Sequence, residues 1–142
     1  MTGVWILLGA VVVALAFGGY RKLTDGKART LRSGAAPQLD ASRLGEELGA
    51  TATFVQFSSS VCAPCRVTHR VLSDVTAADS TLTHIDLDAG TRLDLVEEFG
   101  ITRTPTVLLL DAAGVVRRRI VGATRKADVL DALDQVAGRT AA

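Results

Sequence analysis

The sequence predicts an α/β fold, a mixed central sheet flanked by helices, preceded by one apolar helix long enough to cross a membrane. Three observations carry this reading. Val4 to Tyr20 (VWILLGAVVVALAFGGY) contains no charged residue. From Asp40 onward, helical and strand patterns follow the order α-β-α-β-α-β-β-α, as expected of a sheet sandwiched by helices. The only two cysteines stand as Cys62-Ala63-Pro64-Cys65, where a β-rich run gives way to helical spacing.

The 142 residues are enough for one domain with a real core plus a tail. Sixteen basic residues against 15 acidic ones leave a net charge of +1, so no nucleic-acid footprint is implied. Lys occurs only at Lys22, Lys27 and Lys126, and the preference for Arg, with abundant Ala, suggests a GC-rich bacterial genome. Two cysteines exclude a disulfide framework and a four-thiolate zinc site. They can pair with each other, with a partner protein or with a small ligand; no cofactor or metal is implied.

The apolar run divides the chain into an anchor (1–20), a basic linker (21–38), a domain (39–138) and a short disordered tail (139–142). Val4–Tyr20 is at the short end of the roughly 17–25 residues of a membrane span, with Trp5 and Tyr20 near its two ends. A cleaved signal peptide is the rival reading. Ala14-Leu15-Ala16 resembles a cleavage site, but the positively charged leader is missing. The flank that follows carries Arg21, Lys22, Lys27, Arg29 and Arg32 against Asp25 alone, a stop-transfer pattern. Lys and Arg are enriched on cytoplasmic flanks, so a single-pass membrane protein with its domain in the cytoplasm is expected. The extracytoplasmic face is the alternative.

Asp40 N-caps a short helix in which Leu44 and Leu48 lie on one face and Gly49 is the expected stop. Thr51–Phe57 is β-branched and aromatic and reads as a buried strand. The helix from Cys62 to about Ala77 presents Val67, Val71, Leu72 and Val75 at helical spacing. Thr81–Leu87 is a strand ending in an acidic turn, and Thr91–Phe99 a helix with Leu93, Val96 and Leu95 inward, stopped by Gly100. Thr106–Leu110 is a continuous apolar run, the mark of a strand covered on both faces. A turn at Asp111–Gly114 leads into Val115–Val121 and makes a β-hairpin. Arg117-Arg118-Arg119 in that hairpin reads as a solvated edge that blocks edge pairing. Lys126–Val136 closes the chain with Val129, Leu130, Leu133 and Val136 inward.

Cys62 stands at the first turn of its helix, where free backbone N–H groups and the helix dipole favour a thiolate, the reactive form. Cys65 lies on the same helix face, within disulfide reach. Pro64 has no N–H to donate, and its fixed φ suits a first turn. Arg66, which follows Cys65, fits two roles equally, electrostatic stabilisation of thiolates and a plain surface position. His69, four residues past Cys65, is placed to tune the thiol or to bind metal with both cysteines, but reads as a solvated helix residue, since no fourth ligand is evident. His84 reads as a half-exposed strand histidine.

The pattern resembles the thioredoxin family. The shared features are the strand ending in Phe57, the Cys62–Cys65 helix start, Thr104-Pro105-Thr106, the terminal hairpin, and Val121-Gly122-Ala123 before a last helix. They cover about Asp40 to Val136, and membrane-tethered bacterial thioredoxin-like proteins look similar over the whole chain. The resemblance implies that Cys62 attacks and Cys65 resolves, and that Pro105 is the cis-proline facing the disulfide. Thr104 would then offer backbone groups to an extended substrate. Val61, Ala63, Pro64, Thr104, Pro105 and Gly122 would form the substrate-binding surface.

The departures are specific. Val61 replaces the usual Trp, Ala63 the usual Gly, and Arg70 the usual proline within the active-site helix. Gln56 stands six residues before Cys62, where the family commonly buries an acid, and it cannot act as a general base. His84 falls near the family's buried Lys, so Gln56 and His84 can form a neutral polar pair. Gln56, Arg66 and His84 are therefore candidate modulators. The resemblance implies a membrane-anchored thiol–disulfide oxidoreductase acting on disulfide-containing proteins and recharged by a thiol reductant or reductase. Two alternatives remain: a redox-inactive thioredoxin-like protein-binding module at the membrane, and a carrier of metal or cluster on the C-x-x-C pair.

Overall fold

The structure, a computed structural model, describes residues 2–24, 28–30 and 37–140. The elements in chain order are α1 (Thr2–Thr24), β1 (Ala28–Thr30), α2 (Ala41–Leu44), β2 (Ala52–Ser58), α3 (Ala63–Ala78), β3 (Leu82–Asp88), α4 (Leu93–Glu98), β4 (Thr106–Asp111), β5 (Val116–Val121) and α5 (Lys126–Thr140). The sheet order is β1-β5-β4-β2-β3. β2 runs parallel to β3 and antiparallel to β4, and the β4–β5 hairpin is antiparallel, so the expected mixed sheet is present.

Alternation along the strands sorts side chains into two cores. Val55, Phe57, Ile85, Leu87, Leu108 and Leu110 meet Leu44, Leu95 and Phe99 on one face. Phe54, Val107, Leu109 and Ile120 meet Leu72 and Val75 of α3 and Val129 and Val136 of α5 on the other. β4 is buried at every position, as its unbroken apolar run requires of a strand covered on both faces.

Several local expectations are corrected. Asp40 does cap α2, its carboxylate accepting from Arg43 N–H, but the helix stops at Gly45 rather than Gly49. Gly45 has φ +78°, a conformation open to glycine and costly for other residues. In α4, Leu95 is buried while Leu93 is 66% exposed, because six residues offer one turn and a half to the sheet. In α3, Thr68 rather than Val67 faces inward. Leu130 of α5 is largely exposed, and Ala132 packs instead.

The arginine triplet is not a solvated edge. Ala28–Thr30, inside the stretch read as linker, pairs antiparallel with β5 through Ile120, Arg119 and Arg118, so β5 has a neighbour on both sides. Arg118 is buried, Arg117 binds the Asp111 carboxylate at 2.6 Å, and Arg119 donates to the Phe99 carbonyl. The remaining linker positions 25–27 and 31–36, and the last two residues of the tail, lie outside the described residues.

Among the described residues, one helix is long and apolar enough to cross a membrane, over Gly3–Tyr20. Its Trp5 and Tyr20 side chains are exposed.

Candidate active site

β2 ends at Ser58, and a short loop returns the chain to α3. Cys62 is the N-cap: its backbone is extended, and Sγ accepts from Cys65 N–H at 3.2 Å. That N–H is one of the orphan donors of a helix start, so the sulfur occupies the place of an oxygen cap. Pro64 sits in the first turn, where its missing N–H costs nothing. The two sulfurs are joined in a disulfide with Cα atoms 5.2 Å apart. Cys62 is 9% exposed and Cys65 3%, so the outer sulfur is the more accessible to a partner.

The loop before β4 meets the cysteine loop. The Thr104–Pro105 peptide is cis, and Pro105 is buried. Ser59 and Thr104 hydroxyls lie 3.4 Å apart, which links the two loops. Gly122 N–H donates to the Pro105 carbonyl at 2.8 Å, and Gly122 has φ +91°, which favours glycine there. Thr124 N–H donates to the buried Thr68 hydroxyl and fastens the next residues to α3. Thr104, Pro105 and Gly122 thus form one connected wall, while Val61, Ala63 and Pro64 are exposed around the sulfurs, Val61 at 91%.

Behind Cys65 lies a polar network. Gln56 is fully buried, and both its amide hydrogens are used, one on the Cys65 carbonyl at 3.0 Å and one on Ser58 Oγ at 2.8 Å. Its Oε1 accepts from His84 Nε2 at 3.2 Å. The neutral Gln56–His84 pair is thus present, on a histidine that is also half-buried. Burial, and then the charge of neighbouring His69, push His84 down to about 4, against the opposing pull of Asp86. Ser58 Oγ donates to Asp86 Oδ1, and Asp86 Oδ2 holds His69 Nδ1 at 2.9 Å. The two imidazoles are in ring contact at 4.9 Å.

Half its side chain exposed, His69 is nonetheless tied to a carboxylate rather than simply solvated. Arg66 is exposed at the rim of an open groove of about 830 Å³ that is also lined by Ser58, Cys65, His69, Asp86 and Asp88. Sequence reasoning missed Ser58 and Asp86. The available signal was the two-residue step from His84 to Asp86, which puts both on one face of β3.

The thioredoxin-like domain family matches residues 46–137. The chain belongs to the thioredoxin-like family. Thioredoxin NaTrxh from Nicotiana alata is 27% identical, with a TM-score of 0.53 over 61% of this chain and 73% of that one. The oxidised mitochondrial thioredoxin 3 of Saccharomyces cerevisiae, 20% identical, shares the fold with a TM-score of 0.53 over 60% of this chain and 78% of its own. The bifunctional thioredoxin reductase/thioredoxin of Mycobacterium leprae is 34% identical over 83 residues, 58% of this chain but only 18% of that protein. A C-x-x-C disulfide at the head of a helix in this family is the equipment of a thiol–disulfide oxidoreductase.

Proposed function

We propose that the chain is a membrane-anchored disulfide reductase in which Cys62 attacks and Cys65 resolves. The observation that carries this is the Cys62–Cys65 disulfide, its outer sulfur capping α3 beside the Thr104–Pro105 loop. In the reduced protein the Cys62 thiolate attacks one sulfur of a substrate disulfide. The substrate's S–S bond breaks, one substrate thiolate leaves and takes a proton, and a mixed disulfide forms on Cys62. Cys65 loses its proton and attacks the Cys62 sulfur. The second substrate thiol leaves, and the protein's own disulfide closes with two electrons transferred. A thiol reductant or reductase then restores the dithiol. The Mycobacterium leprae relative, whose name joins a thioredoxin reductase to a thioredoxin, supports a reductase in that role.

Substrates would lie against Val61, Ala63 and Pro64 and pair with the Thr104 backbone as an added strand. Gly3–Tyr20 supports the membrane anchor, and Arg21 and Lys22 directly after it support a cytoplasmic domain, where thiols are kept reduced.

The test uses the full chain with Cys65→Ser in cells. Mixed disulfides should accumulate through Cys62, as mass spectrometry of trapped complexes would show, and Cys62→Ser should trap none. Linkage mainly through the other cysteine in the converse variant would reverse the assigned roles. In the same cells, Cys62 should resist a membrane-impermeant thiol reagent until the membrane is permeabilised. Labelling of intact cells would place the domain outside.

A further inference from the structure

Resolution needs a base. Cys65 is nearly buried, and an ordinary thiol, with a pKa of about 8.5, is mostly protonated near neutral pH. Gln56, the polar side chain fixed to the Cys65 carbonyl, cannot supply one: both its N–H groups are committed and its oxygen is occupied by His84. The network does not end there. It passes through the Ser58 hydroxyl to Asp86, and from Asp86 to His69 on α3.

We infer that His69 and Asp86 act together as the proton acceptor for Cys65, with Gln56 and Ser58 as positioning residues; this rests on the thiol-exchange reading above. Facing the Asp86 carboxylate, His69 Nδ1 is the protonated nitrogen, which leaves the lone pair on Nε2. A carboxylate that orients an imidazole and stabilises its charged form is the arrangement that makes histidine a general base. His69, Asp86, Ser58 and Cys65 line one groove, open enough for a bridging water. The charged and titratable groups facing the dyad are His84 in ring contact on β3, Asp88 on β3, and Arg66 and Arg70 on α3. His84 stays neutral at physiological pH and does not compete for the proton.

In the step proposed, the Cys65 proton passes through water to His69 Nε2. The Cys65 thiolate attacks the Cys62 sulfur, the bond between Cys62 and the substrate sulfur breaks, and the departing thiolate takes the proton back from the imidazolium. No electron leaves the pair of cysteines and substrate.

The experiment follows both halves of the reaction in the reduced full chain in detergent by stopped flow, with the aromatic disulfide dithiobis(nitrobenzoate) as probe. The first coloured thiolate released reports attack by Cys62, and the second reports resolution by Cys65. His69→Asn should leave the first release unchanged and slow the second near neutral pH by about 100-fold, the low end of what a positioned base contributes. Asp86→Asn should act in the same direction on the second release alone. Both variants should converge on the parent rate above a pH of about 9, where the thiol ionises without help. A second release that is unchanged in both variants, or slowed equally at every pH as a structural lesion would do, overturns the dyad. A parent chain that releases no thiolate overturns thiol exchange itself, and the dyad with it.

Discussion

The two faces of the same two strands are built differently. On one face of β2 and β3, Val55, Phe57, Ile85 and Leu87 are all buried in a dry core with Leu108 and Leu110. On the other, β2 begins with Ala52 and Phe54 in an apolar cluster and continues into Gln56, while β3 carries His84 and Asp86 beside it. The apolar half packs under α3 and α5; the polar half lies under the first turns of α3, where the cysteines are. The difference teaches where stability and chemistry reside. The dry face can lose no volume without cost, whereas the polar face holds one satisfied set of hydrogen bonds whose value is orientation.

The largest effect should come from breaking the dry face. Leu108, fully buried at the centre of β4, packs in the cluster with Val55, Phe57 and Ile85, on the face of the sheet away from the Gln56 side chain. Leu108→Ala should destabilise the domain by about 2–5 kcal/mol through lost transfer energy and the cavity left behind. Urea unfolding should show a lower midpoint with an unchanged slope, and the rate of thiol exchange per folded molecule should stay at the parent value. A lost exchange rate in the folded variant would mean that the two faces are not separable.

A smaller loss should follow from making the polar face dry. Gln56→Leu keeps most of the volume but removes the donors to the Cys65 carbonyl and Ser58 and the acceptor for His84. Leaving those groups unsatisfied should cost about 1–3 kcal/mol. Were this face merely an unfinished core, the same change would stabilise the domain in the same urea measurement.

Much of the fold was legible because its signals are local. The strand ending in Phe57, the unbroken run at Val107–Leu110 and the C-x-x-C spacing each declare themselves within a few residues. Leu93 and Leu95 were not resolved, since α4 is too short for its period to identify one face. Nor was the burial of Arg118, because the strand that covers β5, Ala28–Thr30, has no apolar alternation to announce it. Gln56 and His84 are marked by the family resemblance, which sets them where a buried acid and a buried lysine commonly stand; the strand pattern alone reads His84 as half-exposed. The bond from His69 to Asp86 was not legible, because it joins a helix to a strand 17 residues away and no spacing rule connects them.

The smallest and most specific effect concerns acid. His84 stays neutral in the folded protein down to about pH 4, whereas an unfolded imidazole takes a proton near 6.5. Between those values the unfolded chain binds more protons, so stability rises with pH across this window and is lost as pH falls from about 6.5 towards 4. Below it both states are protonated and the dependence on His84 ends. The ring is partly solvated, so the loss should be on the order of 1 kcal/mol. Protonation leaves the Nε2 donor to Gln56 Oε1 in place, so the loss is the cost of charging a half-buried ring in contact with His69. His84→Gln keeps a donor for Gln56 Oε1 and removes the titration. Thermal unfolding of parent and variant at steps between pH 7 and pH 4 should therefore give curves that diverge only inside this window, with the variant the flatter. Parallel curves would show that His84 is not what makes this face sensitive to acid.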